Sequence, residues 1–157
     1  TLADLKKNSY VSRLKKIDPA LRPDAVLCQL STNDATKKVP LGVIADGFQT
    51  ADFDTATVAG ALEYIIAYCK ETWGCPVTFY TQTRYDSVFY ADMVELLLKL
   101  REKWAIRVID LWNNEELNNI TPQQRARWLA DPIHPTKAGY REWWTPALAE
   151  GLEKVFK

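Results

Sequence analysis

The chain has 157 residues, 47% of them hydrophobic, with 20 basic and 20 acidic side chains and one histidine. That is the size of one domain, spanning 1–157, with enough apolar residues to bury a core. The charges cancel and are spread along the sequence, which argues against a nucleic-acid or membrane-surface partner, and no apolar run reaches bilayer-spanning length.

Tyr10, Leu14 and Ile17 fall at helical spacing, and Pro19 and Pro23 end that predicted helix. Asp24 to Ser31 is a nearly continuous apolar run, as expected of a buried parallel strand. A long loop is predicted from about Ala35 to Asp52, with Pro40, Gly42 and Gly47, and loops of that length are often functional. The next helix is predicted from near Asp54, with Val58, Leu62, Ile65 and Cys69 on one face and Gly74 as its stop. Pro76 to Thr81 reads as the second strand, and 82–87 as a loop. Met93, Leu97, Leu100 and Trp104 lie in helical register, and Ile106 to Trp112 reads as the third strand. A polar stretch from Asn113 to Ala130 is predicted to hold a short helix after Thr121-Pro122. The chain ends in helix, with Thr145-Pro146 read as a cap and first-turn proline that divide it in two.

Strands that alternate with helices predict a parallel sheet covered on both faces. Two features of this order are irregular. The order opens on a helix, and it has three strands where sheets usually have about five or six. The first residue is Thr1 and the only methionine is Met93. The first strands of the sheet are therefore expected to lie outside this chain.

The cysteines, Cys28, Cys69 and Cys75, form no C-x-x-C, and one histidine cannot complete a zinc cluster, so no metal or cofactor is expected. Reduced, buried thiols are favoured over a Cys69–Cys75 disulfide, which points to the cytoplasm. A catalytic Cys28 is disfavoured because an apolar strand would desolvate its thiolate.

In an open parallel sheet, ligands bind beyond the carboxyl ends of the strands. Asn33 and Asp34 follow the first strand, and Arg84 and Tyr85 the second. His134 lies in Asp131-Pro132-Ile133-His134-Pro135. A carboxylate three residues ahead of a histidine, in a proline-stiffened loop, can hold one ring nitrogen and leave the other as a base. Asp131, His134 and Asn33 are thus the candidate catalytic residues, as orienting acid, base and oxyanion donor. Ser31, Thr32, Arg84 and Tyr85 are candidate substrate-binding residues on the same rim. Trp112 and Trp128 are read as either pocket lining or packing, and Trp143 and Trp144 as packing.

The combination of Ser31-Thr32-Asn33-Asp34 after an apolar strand with Asp131-x-x-His134-Pro135 resembles the SGNH hydrolases, the GDSL esterase/lipase family. Pro23-Asp24-Ala25-Val26-Leu27 and Thr136-Lys137-Ala138-Gly139-Tyr140 extend the resemblance across the chain. It implies a flavodoxin-like three-layer α/β/α sandwich and a serine acylhydrolase acting on a small-molecule ester. It also implies strand order 2-1-3-4-5, with the strands here third, fourth and fifth. The family's Gly-Asp-Ser nucleophile motif is absent, and Ser31 stands where the third motif has glycine. The four serines are Ser9, Ser12, Ser31 and Ser87. Ser87 reads as a helix cap, and Ser31 is the least unsuitable nucleophile. The nucleophile is therefore expected on a separate N-terminal segment. The alternative is an inert fragment or interaction module on an esterase scaffold. A flavin or nucleotide binder ranks below both, since no Gly-rich phosphate loop is present.

Overall fold

The computed structural model describes residues 1–156. Its helices are α1 (Tyr10–Leu14), α2 (Thr32–Thr36), α3 (Val58–Trp73), α4 (Val88–Trp104), α5 (Glu115–Asn118), α6 (Pro122–Trp128), α7 (Lys137–Gly139) and α8 (Thr145–Phe156). Its strands are β1 (Val26–Gln29), β2 (Val77–Tyr80) and β3 (Arg107–Ile109), and they form one parallel sheet in the order β1-β2-β3. Cys28 lies beside Phe79 and Gln29 beside Tyr80, while Tyr80 lies beside Ile109 on its other flank.

Side chains alternate along a strand, so each face of the sheet takes one set. Val77 and Phe79 pack into the main core with Leu62, Ile66, Met93 and Leu97 of α3 and α4. Tyr80 and Ile109 face the opposite way, into a second core with Trp143, Trp144 and Leu148 of the C-terminal helix. These are the three layers of an α/β/α, flavodoxin-like sandwich, as expected. The outer edge of β1 has no partner strand among the described residues. The register puts Leu27 on the same face as Tyr80, and there it is 43% exposed.

Four local expectations are corrected. Helix α1 stops at Leu14, because Lys16 and Ile17 donate to Arg13 and Leu14, three residues back, and Ile17 is left 40% exposed. Helix α3 begins at Val58 because Thr57 accepts the Gly60 N–H, while Asp54 is spent on the preceding turn. The predicted loop from Ala35 begins inside α2 and holds a 3-10 turn at Thr50–Asp52. Thr145-Pro146 does not split the last helix. Pro146 has no N–H to donate to Glu142, and the chain widens into a π turn over Tyr140–Trp144, in which the Thr145 N–H reaches the Tyr140 carbonyl.

The long loop is strapped to the core by a buried ion pair. Glu63, fully buried, lies 2.5 Å from Lys103 Nζ and accepts the Trp104 indole N–H at 3.1 Å and the Ala45 N–H at 2.9 Å. Lys103 also donates to the carbonyls of Ala45 and Gly47. Glu63→Ala leaves the Trp104 and Ala45 N–H groups without an acceptor and Lys103 without its counter-ion, and is expected to cost about 3–5 kcal/mol. Urea unfolding measures it, and a loss below about 1 kcal/mol would show that the pair does not hold the loop.

All three cysteines are free thiols. Burial pushes Cys28 up to about 11 and Cys69 to about 12, and raises Cys75 as well. At about pH 8 the folded chain should therefore resist iodoacetamide, whereas the urea-unfolded chain takes up one label per cysteine; mass spectrometry separates the two outcomes.

Candidate active site

The Asp131–His134 turn is built from short-range contacts. Asp131 Oδ1 accepts the backbone N–H groups of Ile133 at 2.7 Å and His134 at 2.8 Å, and Oδ2 lies 2.8 Å from His134 Nδ1. The His134 N–H, then the Ile133 N–H, then the ring hold the Asp131 carboxyl down at about 2. At neutral pH Asp131 therefore only accepts, which places the shared proton on Nδ1 and, in the uncharged ring, the lone pair on Nε2. Nε2 has no hydrogen-bond partner among the described residues, and the His134 side chain is 67% exposed.

Two further sets of bonds anchor the loop. An antiparallel bridge joins Leu129 to Pro135, the Ala130 N–H donates to the His134 carbonyl at 2.8 Å, and the Thr136 N–H donates to Trp128 at 2.7 Å. The Thr136 hydroxyl donates to the Arg127 carbonyl and accepts the Gly139 N–H, which starts α7 directly behind the loop. Gly139 permits that approach, since a Cβ there would lie 2.1 Å from the Trp128 carbonyl oxygen. From the sheet side, the Gln82 side-chain amide donates to the Ile133 carbonyl, and Gln29 Nε2 donates to Gln82 Oε1 at 3.1 Å. Gln29 ends β1, and Gln82 follows β2, so the loop is fastened to the carboxyl rim of both strands.

Asn33 sits in the first turn of α2, just past β1. Its side chain is exposed and its amide makes no hydrogen bond among the described residues, so it is available to a ligand. No hydrogen bond joins Asn33 to His134. Ser31 is the buried N-cap of α2 and makes no side-chain cap bond, and Thr32 is half-buried beside it. Asp34 is fully buried and accepts the N–H groups of Leu2 at 2.7 Å and Ala3 at 3.2 Å, which ties the first residues of the chain to α2.

Arg84 is exposed, and its backbone N–H donates to Asn118 Oδ1 at 2.7 Å. It borders a shallow cleft with Glu115, Asn118, Asn119 and Arg125. Tyr85 belongs to an aromatic trio, with ring centroids 5.3 Å from Tyr90 and 5.6 Å from Trp112. Trp112 is buried there, and Trp128 stacks on Trp143 at 5.7 Å while donating to Glu142. None of the four serine hydroxyls hydrogen-bonds His134. Ser9 and Ser87 cap α1 and α4, and the Ser12 hydroxyl turns back onto the Ser9 carbonyl. Gln82 and Gln29 were not anticipated from sequence; the one signal was an amide side chain at each strand end.

The depressed Asp131 value sets a pH dependence. Its ionised state is favoured by the fold, so the hold on His134 is complete above the ordinary carboxylate range and is lost as pH falls through about 2. A carboxyl-carbon NMR titration of Asp131 should show its midpoint near there. A midpoint near the ordinary value of about 4 would mean that the turn does not hold the carboxylate in solution.

No family model matches the chain, and no curated protein matches it. Solved structures do. One crystal structure aligns at TM-score 0.81 and 23% identity over 98% of this chain and 75% of that one. A protein from Lactobacillus plantarum aligns at TM-score 0.74 and 20% identity over 98% of this chain and 74% of its own. A protein assigned as a GDSL-like lipase, from Bacteroides ovatus, aligns at TM-score 0.64 and 18% identity over 93% of this chain and 60% of its own. Identities this low carry the fold alone. The chain shares the α/β/α fold of these solved structures.

Proposed function

We propose that residues 1–157 supply the base, its orienting acid and one oxyanion donor of a serine ester hydrolase. The observation that carries this reading is the Asp131–His134 pair. An ionised acceptor holds Nδ1 while Nε2 stays open on the carboxyl rim of a parallel sheet. Asn33, with its amide exposed past β1, suits the oxyanion role. The nucleophilic serine comes from a polypeptide segment outside 1–157 that pairs with the open edge of β1 and covers Leu27. The unpaired edge and the exposed leucine support that placement.

In this scheme the serine hydroxyl attacks the ester carbonyl and His134 Nε2 takes its proton. Asn33 and backbone N–H groups of the added segment hold the tetrahedral oxyanion. The imidazolium returns the proton to the leaving alcohol, and water then cleaves the acyl-enzyme by the same route. Ser31, Thr32 and Arg84 lie on elements that border this rim and would contact the ester, with Tyr85 acting through its aromatic trio. The free thiols fit a reducing compartment such as the cytoplasm. No helix among the described residues is long and apolar enough to cross a membrane.

The second reading, an inert interaction module, is favoured by one observation: no serine of this chain reaches His134. A fluorophosphonate probe separates the two. Labelling of a companion segment carries the hydrolase, and no labelling with no nitrophenyl-acetate turnover carries the module. In the active assembly His134→Ala should abolish turnover, and Asn33→Ala should lower kcat by about two to three orders of magnitude. Unchanged turnover in either variant removes that residue from the mechanism.

A further inference from the structure

We infer that Gln82 is the positioning residue that sets His134 against the sheet, in a relay that runs from Gln29 through Gln82 to the peptide between Ile133 and His134. The inference rests on the base role proposed for His134 and adds the device that aims it.

The peptide unit is planar, so the Ile133 carbonyl and the His134 N–H belong to one rigid plate. Asp131 Oδ1 accepts the N–H edge of that plate at 2.8 Å, and the Gln82 amide donates to the carbonyl edge. Fixing both edges fixes the plane, and with it the direction in which the His134 side chain leaves the backbone. Asp131 by itself cannot do this. It lies in the same exposed turn, so its bonds shape the turn without attaching it to the sheet. Gln82 is 2% exposed and is itself fixed at several points. Its backbone N–H donates to the Tyr90 hydroxyl at 2.9 Å, which in turn donates to the Leu30 carbonyl at 2.8 Å. A carbonyl only accepts, so Nε2 must face Ile133, and Oε1 is left for the Gln29 amide at 3.1 Å. Each member of the relay has one workable orientation, and a half-buried glutamine at the end of β1 thereby reports to the base.

Glutamine is the residue type this place needs. A glutamate here, ionised, would set an acceptor against the Ile133 carbonyl, and a methionine of similar volume would fill the space without donating. Both leave the backbone bond to Tyr90 in place, so the fold around β2 is retained.

The chain has one histidine, so its ring can be read by nitrogen NMR without ambiguity. The wild-type chain is expected to hold the Nδ1–H tautomer. In Gln82→Met and Gln82→Glu the ratio of Nδ1–H to Nε2–H should fall about tenfold, the effect of losing one hydrogen bond. Amide exchange in α3 should stay unchanged, which separates a loosened loop from a destabilised core. Gln29→Leu, which cuts the relay at its half-buried end, should lower the ratio in the same direction and serves if the Gln82 variants do not fold. A ratio equal to wild type in folded Gln82→Met, or in Gln29→Leu where that is the folded variant, overturns the inference. These readouts need no turnover. If fluorophosphonate labels nothing, the hydrolase reading fails while the relay is judged on the ring alone. In an active assembly Gln82→Met should lower kcat with KM unchanged.

Discussion

A buried polar group must find a partner, and the carboxyl end of a parallel sheet is where the strand ladder stops providing one. In this chain side chains take over at that point. The Tyr90 hydroxyl bridges the Leu30 carbonyl and the Gln82 N–H, and burial raises its ionisation well above the ordinary range, so it remains a donor. The Thr81 hydroxyl accepts the Trp112 N–H past β2. Gln82 then carries the same demand outward to the Ile133 carbonyl. The rim is thus a continuous set of satisfied bonds, and the Asp131–His134 loop is its outermost member.

Three carboxylates illustrate how position decides what an acid does. Glu63 and Asp34 are fully buried, and burial of a charge is tolerated only where donors surround it. Glu63 is matched by Lys103 and fastens a long loop, whereas Asp34 gathers two backbone N–H groups and fastens the start of the chain to α2. Asp131 is solvent-exposed, and its low value comes from three local donors instead of from burial. Only Asp131 leaves a partner, His134, with a free basic nitrogen. Solvent access and the nature of the donors separate the three settings of one residue type.

The sheet is uneven in the same sense. One face is closed by α3 and α4, while the other is closed by the C-terminal helix over β2 and β3 only. Leu27 on β1 is left exposed, beside a strand edge with unpaired backbone groups. An exposed apolar edge invites pairing. The aligned solved structures are longer than this chain, with 60–75% of their length matched.

Much of this was legible in the sequence, for a physical reason. Alternating apolar runs and helical periodicities mark strands and helices, because burial follows the 2.0 and 3.6 repeats of the backbone itself. The Asp131–His134 pair spans three residues, so a turn alone can bring the groups together. The cap at Ser87 and the helix start after Thr121-Pro122 were readable on the same local grounds. What tertiary structure decided involves residues far apart in the chain. Gln82 reaches Ile133 across 51 residues and Gln29 across 53, and Lys103 reaches Glu63 across 40. Those distances are closed only by packing, which lays β1 beside β2 and α4 beside α3 and returns the Ile133 loop to the rim of the sheet. Even the last helix, local as it looks, runs on through Pro146 with a π turn in place of the break that proline chemistry suggested, and Trp143 and Trp144 of that turn are packed in the second core. The sequence by itself determined the elements and the Asp131–His134 pair. The packed fold decided how that pair is held and which face of the sheet stays open, because only packing brings distant polar groups within hydrogen-bonding reach.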